Sequence, residues 1–260
     1  MTCVDRPVRG GAGKRERGRR KCHNRSSPGG ITKGIRKVII TLDLCLRQGA
    51  HEIIDGLNLH IEKGEFVFIC GQAASGKTTL LKILALQQKP AGGRVIVEGR
   101  DISEISRRER PGYMRGLGLI FQDDMLLPHR TLAENMDISL ELAGWSVADA
   151  KKETAAYLKE AGLYTKAGLF PEQVSENEKR MLKICRALIR RPKIVLADEP
   201  YEGLDSHSIE KAIELFENAN LRGSTIVSTT HNVELVRRMG KRGIMLDKTS
   251  MGRMAKASTG

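Results

Sequence analysis

No part of this sequence is apolar enough to cross a bilayer. A spanning helix needs roughly 18–20 consecutive apolar residues; no run approaches that length, and no signal-peptide core is present. Any role at a membrane therefore passes through partner proteins. Cysteine is equally thin. Cys3, Cys22, Cys45, Cys70 and Cys185 form no CxxC pair and no framework of close spacings, which excludes a disulfide scaffold and is the usage of reduced cytosolic thiols. Cys22-His23 is followed by no second pair, so it does not start a metal site. Acidic residues are scarce at one end only. Residues 1–37 hold twelve Lys and Arg against Asp5 and Glu16, a net +10 of the chain's +13, which leaves about +3 for the rest.

The segment 1–36 is rich in Arg, Gly and Ser and has little that is apolar besides Val4, Val8, Ile31 and Ile35. Such a composition buries too little surface to offset chain entropy, so a disordered basic tail is expected there. A polybasic tail can bind lipid headgroups or nucleic acid; the plainer alternatives are a solvated tail or an upstream extension from a misassigned start. A transit peptide is disfavoured, because no apolar face accompanies the arginines.

Order is expected from Lys37 onward. Strand patterns occupy 38–46, 53–62 and 65–70, and the last runs straight into a glycine-rich loop. A helical pattern follows at 77–87, with Leu80, Leu81, Ile83, Leu84 and Leu86 on one face. Further strands read at 94–98 and 117–121, then helices at 132–143, 147–161 and 175–190. Strands return at 194–197, 225–228 and 243–246, interleaved with helices at 206–219 and 233–239. This order describes an α/β core with a helical insert.

Two motifs carry chemistry. Gly71-Gln72-Ala73-Ala74-Ser75-Gly76-Lys77-Thr78 matches GxxxxGK[ST], with a strand before it and a helix after it. Gly71 and Gly76 allow the backbone N–H groups to turn inward as an anion nest, and the helix adds the positive end of its dipole. Lys77 would reach the outer phosphates of a nucleotide and Thr78 would ligate Mg²⁺, with Thr79 completing the phosphate-binding set. The second motif is the apolar strand Ile194-Val195-Leu196-Ala197 ending in Asp198-Glu199-Pro200. Metal-assisted phosphoryl transfer needs a carboxylate for the metal, here Asp198, and a base for the attacking water, here Glu199.

With both motifs in place, residues 38–246 resemble the nucleotide-binding subunit of ABC transporters. The resemblance implies an α/β fold: a P-loop NTPase core of ABC type with an antiparallel β subdomain and a helical subdomain. The ATPase domain would span 37–248, the helical subdomain about 124–190, and 249–260 would be a flexible tail. Phe121-Gln122-Asp123-Asp124 resembles the family's Q-loop, which implies that Gln122 reaches metal and water and links them to the helical subdomain. His231 stands at the switch histidine that contacts the γ-phosphate. Gly203-Leu204-Asp205 resembles the D-loop, which implies Asp205 at a subunit contact. The stretches FQDDMLLPHRTLAENM and KAGLFPEQ look most like the subgroup containing FtsE and LolD, serving cell division or lipoprotein release. The implied ligands are ATP and Mg²⁺. The implied partners are an ATP-dependent dimer mate (itself or another ABC subunit) and an integral membrane subunit, FtsX-like or similar. The implied place is peripheral, on the cytoplasmic face of the inner membrane, where the basic tail can touch anionic lipid.

The sequence departs from that family at the signature. LSGGQ or LSGGE is replaced by Val174-Ser175-Glu176-Asn177-Glu178, so the serine is kept and both glycines are gone. The resemblance puts Ser175 against the γ-phosphate of the other subunit, and Glu176 would bring a carboxylate there. Like charges at about 4 Å in an effective dielectric near 20 cost on the order of 4 kcal/mol. Ser175 with Glu178 still reads as a capping box, so the helix is expected to start normally. Tyr201-Glu202-Gly203 replaces the TGN common in the subgroup, and Arg47 or a neighbour stands where an adenine-stacking aromatic is expected. Two alternatives remain: a weakly catalytic regulatory ABC subunit, or a non-transport ABC ATPase acting on nucleic acid. The latter usually carries a coiled-coil insertion or two cassettes, and this chain has neither.

Overall fold

The computed structural model describes residues 37–48, 51–123 and 125–246; the expected tails at 1–36 and 249–260, residues 247–248, and Asp124 lie outside the described residues. In chain order the elements are β1 (Lys37–Gln48), β2 (His51–Glu62), β3 (Phe66–Cys70), α1 (Lys77–Leu84), β4 (Gly92–Val97), β5 (Arg100–Asp101), α2 (Arg110–Arg115) and β6 (Leu117–Ile120). They continue with α3 (Leu132–Glu141), α4 (Val147–Glu160), α5 (Glu176–Leu188), β7 (Ile194–Ala197), α6 (Ser206–Leu221), β8 (Thr225–Thr230), α7 (Val233–Met239) and β9 (Arg242–Met245).

The strands form two sheets. An antiparallel sheet runs in the order β2-β1-β4-β5, and a parallel sheet in the order β6-β7-β8-β3-β9. The parallel sheet is buried on both faces, which explains its continuous apolar runs. Period-two alternation divides each strand between two cores. On β3, Phe66, Phe68 and Cys70 face a core shared with α3 to α6. Val67 and Ile69 face the other core, shared with α1 and the antiparallel sheet. Val195 and Ala197 of β7 divide from Ile194 and Leu196 in the same way.

The expected strands and helices occur, with boundaries moved by a few residues. α1 ends at Leu84 rather than near 87, because Leu86 turns into the left-handed region at φ 58°. Two elements carried no readable pattern. β5 is two residues long, and α2 buries none of its residues, so neither has an apolar stripe to read. Pro111 is tolerated in α2 because it sits in the first turn, where its missing N–H costs nothing.

Aromatic side chains tie the loop after β7 to the sheet. Tyr201 packs edge-on against Phe216 with ring centroids 5.7 Å apart, and Phe66 stacks on Phe68 at 5.1 Å. Tyr201 and Phe68 close the group at 6.4 Å. Phe216 on α6 is fully buried at its centre. Phe216→Ala should therefore cost about 3–5 kcal/mol, the usual range for a truncated core aromatic. Chemical denaturation of parent and variant would read it, and a loss below about 1 kcal/mol would contradict the packing described.

Candidate functional site

The parallel strands end at one edge, and the loops leaving that edge hold the residues singled out from the sequence. β3 delivers residues 71–76, β6 delivers Gln122, β7 delivers Asp198 and Glu199, and β8 delivers His231. Open α/β sheets place ligands beyond the carboxyl ends of their strands, and this edge is that place.

The loop after β3 is tight where glycine is required. A Cβ on Gly71 would lie 2.6 Å from the Leu246 carbonyl oxygen and 2.6 Å from Ser75 Oγ. Gly76 has φ 96° and caps α1 with no side chain, so the helix's first N–H groups face outward unblocked. Gln72, Ala73, Ala74 and Thr78 are exposed; Thr79 is half-buried. Ser75 is buried, and its Oγ has no hydrogen-bond partner among the described residues. Lys77 is only 7% exposed. Its Nζ donates to the carbonyls of Gly71 at 2.8 Å and Gln72 at 3.1 Å and faces Glu199 Oε1 at 3.5 Å.

Thr229 joins the two carboxylates, a role its sequence position did not announce. Its hydroxyl donates to Asp198 Oδ1 at 2.7 Å and accepts from the Glu199 backbone N–H at 2.9 Å. Glu199 has φ 47°, a region that non-glycine residues rarely enter. Its second carboxylate oxygen accepts from the His231 backbone N–H at 3.3 Å and lies 3.1 Å from His231 Nδ1. Polar Thr229-Thr230 at the end of a fully buried strand was the available signal. Burial pushes the Cys70 thiol up at the end of β3, so the thiol stays protonated beside Lys77 and Glu199.

Gln122 Nε2 donates to Glu202 Oε2 at 3.3 Å, in the loop following β7. The Ser175 capping box forms as expected: its Oγ accepts from the Glu178 N–H, and the Glu178 carboxylate accepts from the Ser175 N–H at 3.0 Å. Glu176 is exposed and pairs with Lys179 at 2.6 Å, which holds its carboxyl below the usual range. Asn177 turns the other way, its Nδ2 donating to Asp205 Oδ2 at 2.6 Å and Ser208 Oγ at 2.9 Å. Arg47 is exposed on β1, paired in register with Glu52.

The residues expected at a metal, Thr78, Gln122 and Asp198, offer it oxygen donors only. Among the described residues no group of three or more His, Cys, Asp or Glu is placed to hold an ion. That fits Mg²⁺, which keeps several waters and is completed by substrate phosphates rather than by a protein cage.

The family model described as ABC transporter matches residues 54–202. The cell division ATP-binding protein FtsE of Escherichia coli (strain K12) is 37% identical over 198 residues, 76% of this chain and 89% of that protein. FtsE of Bacillus subtilis (strain 168) is 35% identical over 194 residues, 75% of this chain and 85% of that protein. A dimeric ATP-binding cassette solved in a post-hydrolysis state with ADP and Pi is 30% identical at TM-score 0.75, covering 85% of this chain and 98% of that one.

Thr229→Val keeps the shape of the side chain and removes both of its hydrogen bonds. Asp198, 3% exposed, would lose the donor on Oδ1. The expected cost is about 1–3 kcal/mol of stability, the penalty for an unsatisfied buried group. Equal denaturation midpoints for Thr229→Val and the parent would show that the bridge carries nothing.

Proposed function

The chain belongs to the ABC transporter family, and on that premise we propose that it is the ATP-binding and ATP-hydrolysing subunit of a membrane ABC complex. The observation that carries this reading is the meeting of Lys77 with Glu199 beside Asp198, where a phosphate loop and an acidic strand end come together. The N–H groups of residues 71–78 cradle the phosphates, and Lys77 moves from the loop carbonyls and Glu199 onto the outer phosphate oxygens. Asp198 and Thr78 would hold Mg²⁺, with Gln122 reaching it, and the ion would supply charge neutralisation for phosphoryl transfer. Glu199 accepts the proton of the attacking water, and His231, already against Glu199, steadies that carboxylate and the γ-phosphate. Gln122 senses metal and water from the end of β6.

The FtsE relatives support a role in cell division over lipoprotein release. The dimeric cassette supports a dimer closed around ATP, with Ser175 and Asp205 of one copy meeting the nucleotide of the other. We assign 37–248 to the ATPase domain and about 124–190 to the arm that meets an integral membrane subunit. No helix among the described residues is long and apolar enough to cross a membrane. Likeness to the FtsE relatives supports a peripheral place on the cytoplasmic face of the inner membrane, through that subunit. The basic segment 1–36 adds attraction to anionic lipid.

Two variants separate binding from chemistry. Lys77→Ala should abolish binding of a fluorescent ATP analogue in the presence of Mg²⁺, and unchanged affinity would remove the phosphate-loop assignment. Glu199→Gln should bind the analogue within about twofold of the parent yet turn over at under about 1% of its rate, because the amide cannot accept a proton. Parental turnover in that variant would place the base elsewhere.

A further inference from the structure

Two of the residues that replace glycines in the resembled pattern, Asn177 and Glu202, make hydrogen bonds to distant parts of the chain, Asn177 to the start of α6 and Glu202 to Gln122. Asn177, the second residue of α5, spends both hydrogens of its amide on the segment that opens α6: one on Asp205 Oδ2 at 2.6 Å, one on Ser208 Oγ at 2.9 Å. Its own Oδ1 is buried without a partner among the described residues. Each Asp205 oxygen thus has a partner within the chain, because the other accepts from the Ser208 N–H at 2.8 Å as the cap of α6. Arg180, one turn further along α5, donates to the Glu202 carbonyl, and the Glu202 carboxylate accepts from Gln122.

All these bonds join the start of α5 or the end of β6 to one short stretch, 202–208. Both the Asn177–Asp205 and the Gln122–Glu202 bonds run from an amide to an exposed carboxylate, but the first is 2.6 Å long and the second 3.3 Å. Asn177 is therefore the stronger tie.

We propose that Asn177, Asp205 and Ser208 form a clasp within one chain that competes with dimer closure. Closed within the chain, the clasp holds Asp205 on its own signature helix, so a second copy gains Asp205 only when Asn177 lets go. Asn177 is a positioning residue acting through Asp205. Glu176, on the adjoining position, is left pointing to solvent with Lys179 and is not part of the clasp. This rests on the ATP-dependent dimer proposed above and names what holds it back.

The clasp predicts a shift in the protein concentration at which ATPase activity is half-maximal, with little change in nucleotide affinity of the single chain. In full-length protein with ATP and Mg²⁺, Asn177→Ala should lower that concentration about tenfold and Ser208→Ala, which leaves the Asp205 cap in place, about threefold. The double variant should match Asn177→Ala alone, since both changes open one latch. Ultracentrifugation of the same four proteins in the Glu199→Gln background, with ATP, should give the same order of dimerisation constants.

A shift with Asn177→Ala that Ser208→Ala neither shares nor loses in the double variant would mean that Asn177 acts by bulk at the nucleotide, and would overturn the clasp. So would unchanged constants in all variants of a parent that binds and hydrolyses ATP. A parent that neither binds the fluorescent analogue nor hydrolyses ATP would instead remove the functional reading, and the clasp with it.

Discussion

Thr229 is the penultimate residue of the strand that separates the two halves of the site, and its hydroxyl cannot serve one half without fixing the other. β8 lies between β7, which carries the acidic pair, and β3, which feeds the phosphate loop. Register along the sheet pairs Ile69 with Thr229 and Ala197 with Ser228, so neighbouring strands reach the edge within a residue of each other. A hydroxyl there donates to Asp198 and accepts from the Glu199 N–H, which stabilises a left-handed Glu199 that would otherwise be unfavourable. Glu199 is thereby turned to Lys77 on one side and His231 on the other. One buried strand end thus sets the spacing among three charged or titratable groups drawn from distant parts of the chain.

Lys77 and Glu199 are nearly buried, with side-chain exposures of 7% and 12%. Removing two charges from water is costly, and their mutual attraction at 3.5 Å offsets that only in part. The loop carbonyls of Gly71 and Gln72 contribute the remaining partners for Lys77. A polyanion arriving at residues 71–78 offers Lys77 stronger partners than two neutral carbonyls, and leaves Glu199 free to act on water. On the proposed function, the same pair that steadies the loop couples phosphate binding to release of Glu199 as base. This is a functional consequence of a packing requirement.

The sequence was legible wherever the chemistry is local. The phosphate loop lies within eight consecutive residues between a strand and a helix, and the Ser175 capping box closes over three. Periodicity located the long elements because each has a buried stripe; β5 and α2 lack one and left no trace. What could not be read were pairings between segments far apart in the chain. Thr229 with Asp198 spans 31 residues and Gln122 with Glu202 spans 80, and their approach depends on sheet order, which no local pattern encodes. Asn177 is the sharpest case. The sequence shows that Asn177 replaces a signature glycine, but not that its amide hydrogen-bonds Asp205 and Ser208 of its own chain, 28 and 31 residues on.

Loss of the signature glycines need not distort the fold, and the reason is geometric. Glycine at such a position permits close approach of backbone, so any replacement must send its side chain somewhere. α5 begins at Glu176 with Ser175 as its cap, and successive residues on a helix point about 100° apart. Glu176 therefore projects outward to Lys179 while Asn177 projects inward to the start of α6. The outward carboxylate is ionised and solvated, so its repulsion of a phosphate is screened by water, salt and the Lys179 ammonium. The inward amide is held by a charged partner instead. The stronger restraint on dimer closure thus comes from the neutral substitution, because its hydrogen bonds must be broken, whereas the charge at Glu176 has only to be screened.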